Sequence, residues 1–195
     1  KEQYERIVEV LRKYDIGYFI YIGGNDSMDT VDKLSRYCIM NDIEDIKVVG
    51  APKTIDNDLV ATDHCPGFGS AAKYIATSLL EIAHDTYIYA VKSVTIVEIM
   101  GRDAGWLTAA SALARNSYNN APDFIYLPEV AFDKNAFISD VRGALEKKDS
   151  ILIAVSEGIR DKDGKLIVEL VGSVGRDSFG HAQLGGVAST LANLL

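Results

Sequence analysis

Five short apolar runs, each closed by glycine, proline or polar residues, alternate with helix-like patterns along most of this chain. They are "GYFIYIGG", "IKVVG", "SVTIVEIMG", "DFIYLPEV" and "SILIAVSEG". A continuous apolar run, without period-two alternation, is the mark of a strand buried on both faces of a parallel sheet. Between the runs, apolar residues recur at helical spacing, as at Tyr4, Ile7, Val8 and Leu11, or at Val31, Leu34 and Ile39. Ser27 and Ser70 stand where helix caps are expected. A further helix is expected over Lys134–Lys147, and another in "VASTLANLL". "RDKDGKLIVEL" reads as a charged turn followed by a strand. The fold class is therefore α/β with mostly parallel sheets.

Composition narrows the partners. With 20 Lys and Arg against 28 Asp and Glu, the net charge is −8, which argues against nonspecific nucleic-acid or anionic-membrane binding. No apolar run reaches membrane-spanning length. Cys38 and Cys65 lack metal-ligand spacing and read as free thiols in a reducing cytoplasm. Both ends carry helical patterns and look cut, as in an internal piece of a longer protein.

In open parallel sheets, ligands bind outside the carboxyl ends of the strands. Four of those ends are unusual here: "GGNDS", "GAPKTIDND", "MGRDAG" and "SEG". Gly23 and Gly24 admit close approach of a ligand, and the following helix directs its positive end there, which suits phosphate. Asp26 places an anion at the same spot, and a plain strand-to-helix turn explains these residues equally well. In "PKTIDND", Asp56 and Asp58 lie two apart and face the same way if the backbone is extended. One suits a general base for an alcohol and the other a Mg²⁺ ligand, with Lys53 as a cation for phosphate. Taken alone, the segment also reads as an Asx-type turn. Arg102 supplies a forked phosphate donor, and Glu157 an acceptor for sugar hydroxyls or a solvated strand-end carboxylate. His181 suits phosphate binding or helix capping. Trp106 and Tyr126 read as packing.

Together and in this order, the stretches resemble the phosphofructokinases. "IGGNDS" is similar to that family's GGDGS-type donor loop, "PKTIDND" to its TIDND segment, "VEIMGR" to its MGR, "LPEV" to its PEV and "GHAQLGG" to its GHxQRGG. The resemblance implies two Rossmann-like, three-layer αβα domains. Residues 1–68, with 181–195 returning, would bind the donor, and 69–180 would bind fructose 6-phosphate. The family's amino-terminal strand with its glycine-rich phosphate loop, and its carboxyl-terminal portion, are missing from the match.

The resemblance also implies a donor. ATP users of the family carry glycine where this chain has Asp26 and Lys53, and pyrophosphate users carry Asp and Lys. The implied reaction is reversible, Mg²⁺-dependent phosphoryl transfer from pyrophosphate to the 1-hydroxyl of fructose 6-phosphate, in glycolysis and gluconeogenesis. Asp56 is the implied base, with Lys53, Asp26 and Arg102 as the other catalytic-site residues. Gly23, Gly24, Asn25, Asp26, Ser27 and Lys53 line the donor. Thr54, Ile55, Asp56, Met100, Gly101, Arg102, Glu157, Arg176 and His181 line the sugar phosphate. Asn25 and Asp58 are the implied Mg²⁺ ligands. The implied assembly is a homodimer or homotetramer in the cytoplasm.

Three residues depart from the pattern. Asn25 replaces a Mg²⁺-binding Asp, Ser93 replaces an arginine that reaches across subunits (with Lys92 beside it), and Leu184 replaces the arginine of GHxQRGG. The competing readings are an ATP-dependent 6-phosphofructokinase, a lipid or dinucleotide kinase, and a noncatalytic regulatory subunit or inactive fragment.

Overall fold

A computed structural model of the chain describes residues 2–170 and 186–195. The chain divides into two compact units, Lys1–Thr54 with Asp58–Gly67, and Ile55–Asn57 with Phe68–Leu195.

The first unit holds α1 (Glu2–Lys13), β1 (Tyr18–Gly23), α2 (Asn25–Met40) and β2 (Lys47–Pro52). The two strands run parallel, from Tyr18 opposite Lys47 to Gly23 opposite Pro52. Val8 and Leu11 of α1, Cys38 of α2 and Ile46 form a core against which Phe19 and Val48 pack. Acidic residues open α1 and basic ones close it, matching the helix dipole. Arg12 then clasps Asp45 through two bonds of 2.7 and 2.8 Å. That contact holds the Asp45 carboxyl below its usual range. The apolar run predicts a β1 buried on both faces, and the structure buries only one. Tyr18, Ile20 and Ile22, which share the other face with Val49, are exposed, because both helices of the unit pack on the Phe19 side.

The second unit is a three-layer αβα sandwich. Its strands β3 (Ser93–Ile99), β4 (Phe124–Tyr126) and β5 (Ser150–Ser156) form a parallel sheet in the order β3-β5-β4. Every residue of β5 is buried, and its side chains alternate between two cores. Ile151, Ile153 and Val155 join Phe137 and Val141 of α5 (Lys134–Leu145), and Val187 and Leu191 of α6 (Val187–Ala192). Leu152 and Ala154 join Leu79 and Ala83 of α3 (Phe68–Ile88), and Leu107 of α4 (Trp106–Ala110). Tyr126, Phe132 and Phe137 pack ring on ring at 5.4–5.6 Å. Burial there pushes the Tyr126 hydroxyl up to about 12.

Several local expectations change. Gly24, not Ser27, caps α2, and Ser27 sits in the first turn. Helix α3 begins at Phe68, ahead of Ser70, and α5 starts from Asp133, whose side chain accepts from Asn135 and Ala136 N–H. The strand expected in "KLIVEL" is a 3₁₀ turn over Ile167–Leu170, with one bridge from Arg160 to Leu166. β5 already has a neighbour on each edge, so the returning chain finds no open ladder there and buries Ile167 instead. The segment expected to return to the first unit also packs otherwise. Helix α6 lies on the second unit's core, and Ala188 N–H donates to Glu98 Oε2 at 2.9 Å. Residues 181–185 lie outside the described residues. Among the described residues, no helix is long and apolar enough to cross a membrane.

Phe137→Ala is expected to cost about 3–5 kcal/mol of stability, as for a buried aromatic. Asp133→Ala should cost only about 1 kcal/mol, as for a lost helix cap. Urea unfolding of the two variants checks the difference, and equal losses would mean the aromatic cluster is not the anchor of this unit.

Candidate active site

In the first unit the two strand ends are tied together. Lys53 N–H donates to Gly23 carbonyl O at 2.8 Å, carrying the parallel ladder one residue past β2. Lys53 is thereby fixed beside the turn into α2, with its side chain exposed. Gly23 is required there: a Cβ on it would lie 2.0 Å from Ser27 Oγ. A Cβ on Gly24 would touch Lys53 carbonyl O at 3.6 Å, an ordinary contact. Asp26 stands in the first turn of α2, where the helix dipole favours an anion. Gly23, Gly24, Asn25, Asp26, Ser27 and Lys53, expected around the donor, are thus local neighbours.

Asp58 joins this group. Asn25 Nδ2 donates to Asp58 Oδ2 at 2.5 Å, and Asp58 Oδ1 is buried with no hydrogen-bond partner. An orphaned carboxylate oxygen beside an amide whose carbonyl is left for other use fits a hard cation. No group of three or more His, Cys, Asp or Glu side chains among the described residues could hold a metal. A cation here would therefore draw most of its ligands from water and substrate, as Mg²⁺ does.

The expected pairing of Asp56 with Asp58 changes. Asn57 has φ 59°, so the backbone is not extended and the simple alternation breaks. Asp58 bonds within the first unit, whereas Ile55, Asp56 and Asn57 cluster with the second. Thr54 and Asn57 are buried.

The second unit builds its own strand-end assembly. Glu157 N–H donates to Ile99 carbonyl O at 3.0 Å, which again extends a parallel ladder past the strand end. The Glu157 carboxylate then turns onto the main chain beyond β3: Oε1 accepts from Gly101 N–H and Arg102 N–H, both at 3.1 Å. Gly101 has φ 146° and Arg102 has φ 49°, conformations that need such support in a side-chain-bearing residue. Glu157 and Arg102, both expected to hold the sugar phosphate, do come together, but through the backbone of one and the carboxylate of the other. Met100 is half exposed.

Several participants went unassigned by sequence reasoning. A Cβ on Gly158 would lie 1.6 Å from Arg102 carbonyl O. Glu129 Oε1 accepts from Gly105 N–H at 2.6 Å. Arg160 donates to Asp103 Oδ1 at 2.6 Å. Gly158 and Glu129 lie inside the "SEG" and "LPEV" stretches, so the strand-end rule alone marked their neighbourhood. Ser93 and Lys92 lie at the opposite, amino end of β3, where Ser93 Oγ pairs with Ser150 Oγ at 3.1 Å and Lys92 Nζ donates to Leu145 carbonyl O. Arg176, His181 and Leu184 lie outside the described residues.

The sequence profile of the phosphofructokinases matches residues 1–195. The chain belongs to the phosphofructokinase family. It is 50% identical over 194 residues to a Xanthomonas campestris protein named pyrophosphate–fructose 6-phosphate 1-phosphotransferase, covering 98% of this chain and 46% of that one. A Halomonas elongata protein of the same name is 45% identical over 197 residues, covering 100% and 46%. The crystal structure of a pyrophosphate-dependent phosphofructokinase from Marinobacter aquaeolei aligns at 40% identity and a TM-score of 0.74, over 100% of this chain and 44% of that one. The chain thus spans less than half the length of these phosphofructokinases.

Asn25→Asp is expected to tighten Mg²⁺ binding at least about threefold by adding a second anion beside Asp58. Calorimetric Mg²⁺ titration of the full-length protein checks this. Unchanged affinity would remove Asn25 and Asp58 from the metal site.

Proposed function

We propose that this chain carries donor and acceptor residues of a reversible pyrophosphate–fructose 6-phosphate phosphotransferase. The observation that carries the reading is the pairing of residue types on the tied strand ends of the first unit. Asp26 sits in the first turn of α2, and Lys53 is bonded through its backbone to Gly23. A fixed anion at the start of the helix disfavours the additional phosphate of a nucleotide by like-charge repulsion. A lysine nearby offsets the charge of a small inorganic donor that lacks a nucleoside to contribute binding. The names of the phosphofructokinases to which the chain is 45–50% identical favour the same donor.

In this mechanism the sugar's 1-hydroxyl oxygen attacks one phosphorus of pyrophosphate, and its proton passes to the Asp56 carboxylate. The P–O–P bond breaks and inorganic phosphate leaves. Lys53 and Arg102 offset charge on the phosphoryl groups. Thr54, Ile55, Met100 and Gly101 line the sugar, and Glu157 holds the turn that carries Arg102. Asn25 and Asp58 would hold Mg²⁺, which would neutralise pyrophosphate charge. Pyrophosphate and a sugar phosphate ester lie close in energy, so the reaction runs in both directions.

The test uses the full-length protein with fructose 6-phosphate and Mg²⁺. Turnover is expected with pyrophosphate and at least about 100-fold less with ATP, the discrimination one misplaced charge can supply. ATP turnover without pyrophosphate turnover would overturn the donor assignment. Asp26→Gly with Lys53→Gly should lower kcat/KM for pyrophosphate by about 100-fold. Asp56→Ser should cut kcat by about 10²–10⁴ with KM nearly unchanged, as for loss of a general base.

A further inference from the structure

The turn after β3 carries Arg102, and it is gripped from outside at more points than Glu157. Main-chain atoms of Gly101 close the turn through Ala104 N–H to Gly101 carbonyl O at 2.9 Å. Arg102 within it holds φ 49°, a region that side-chain-bearing residues seldom occupy. The chain after β5 presses on one side of the turn. Gly158 approaches Arg102 carbonyl O so closely that a methyl group there would overlap it, at 1.6 Å. The chain after β4 grips the far end. Glu129 Oε1 accepts from Gly105 N–H at 2.6 Å, and Glu129 Oε2 would lie 2.5 Å from a Cβ on Gly105. All of these residues belong to the second unit.

We propose that Glu129 and Gly158 are positioning residues that hold the 101–105 turn in the shape that presents Arg102 to the phosphosugar. The proposal rests on the phosphotransferase reading for its substrate. Its physical content is narrower: two neighbouring strand ends impose a backbone conformation that Arg102 would not hold alone. Glu129 does so by a hydrogen bond that needs an acceptor oxygen but no proton transfer. Gly158 does so by having no side chain. Both act through Arg102, so loosening the turn weakens both the hold on the phosphosugar and the charge that Arg102 offsets during transfer.

Amide hydrogen exchange of the full-length protein without substrate tests the grip directly. The Gly105 amide should be protected in the wild type, unprotected in Glu129→Ala, with faster exchange also at Gly101, Arg102 and Ala104 as the turn loosens, and protected again in Glu129→Gln, whose carbonyl keeps the acceptor. Rapid exchange in the wild type, or equal protection in Glu129→Ala, overturns the proposal whether or not the enzyme uses pyrophosphate. In the kinetic arm, Glu129→Ala should raise KM for fructose 6-phosphate about tenfold, the scale of one lost hydrogen bond. Its kcat should fall as well, because Arg102 also offsets phosphoryl charge, while its KM for pyrophosphate should stay within about threefold of wild type. Glu129→Gln should restore the wild-type KM. An equal rise in both KM values would mark a general structural defect and overturn the positioning role. Gly158→Ala should raise the same KM, and its effect should combine with Glu129→Ala to less than the product of the two, because both loosen one turn. Fully independent effects would overturn the shared grip. Loss of protection in Glu129→Ala, in a protein that turns over no sugar phosphate, would leave the grip standing and refute only the phosphotransferase reading.

Discussion

The main-chain bond from Glu157 to Ile99, 3.0 Å long, governs the second unit's site. Parallel strands place like ends together, and this bond carries their ladder one residue beyond the sheet. The carboxylate at that residue accepts from Gly101 and Arg102 N–H past β3. Those groups open a turn with two consecutive positive φ angles. The carboxylate satisfies both, so the unusual turn is stabilised by the same register that aligns the strands.

The first unit repeats the device with different chemistry. Lys53 N–H bonds Gly23 carbonyl O just past β1 and β2. Here the extension delivers a cation instead of an anion, beside a helix that starts with Gly24 as its cap. Gly23 gives Ser27 the room to fold back in the first helical turn. In both units, backbone pairing past a strand end sets where a charged side chain begins. This is the physical content of the rule that parallel sheets bind ligands at their carboxyl ends.

The strands were legible because parallel strands are often unbroken apolar runs, and the five strands among the described residues coincide with the five runs, β2 running on through Ala51 and Pro52. Helix starts were less legible. Ser27 and Ser70 have good capping side chains, but glycine turns and packing started α2 and α3 earlier. Residues 167–170 carry strand-like side chains yet form a 3₁₀ turn that buries Ile167. The "IDND" stretch misled in a similar way. Two-residue spacing aligns side chains only in extended backbone, and Asn57 is left-handed.

Sequence alone determined the alternation of strands and helices and the charged residues at the strand ends, Asp26 and Lys53 among them. It did so because apolar period and residue chemistry are local properties, written in adjacent letters. Only the tertiary structure decided which of those ends meet: Asn25 with Asp58, Glu157 and Gly158 with the Arg102 turn, Glu129 with Gly105, and α6 with β3. Such pairings depend on register between segments up to 90 residues apart. A hydrogen bond tolerates only a few tenths of an ångström, a precision no local pattern encodes.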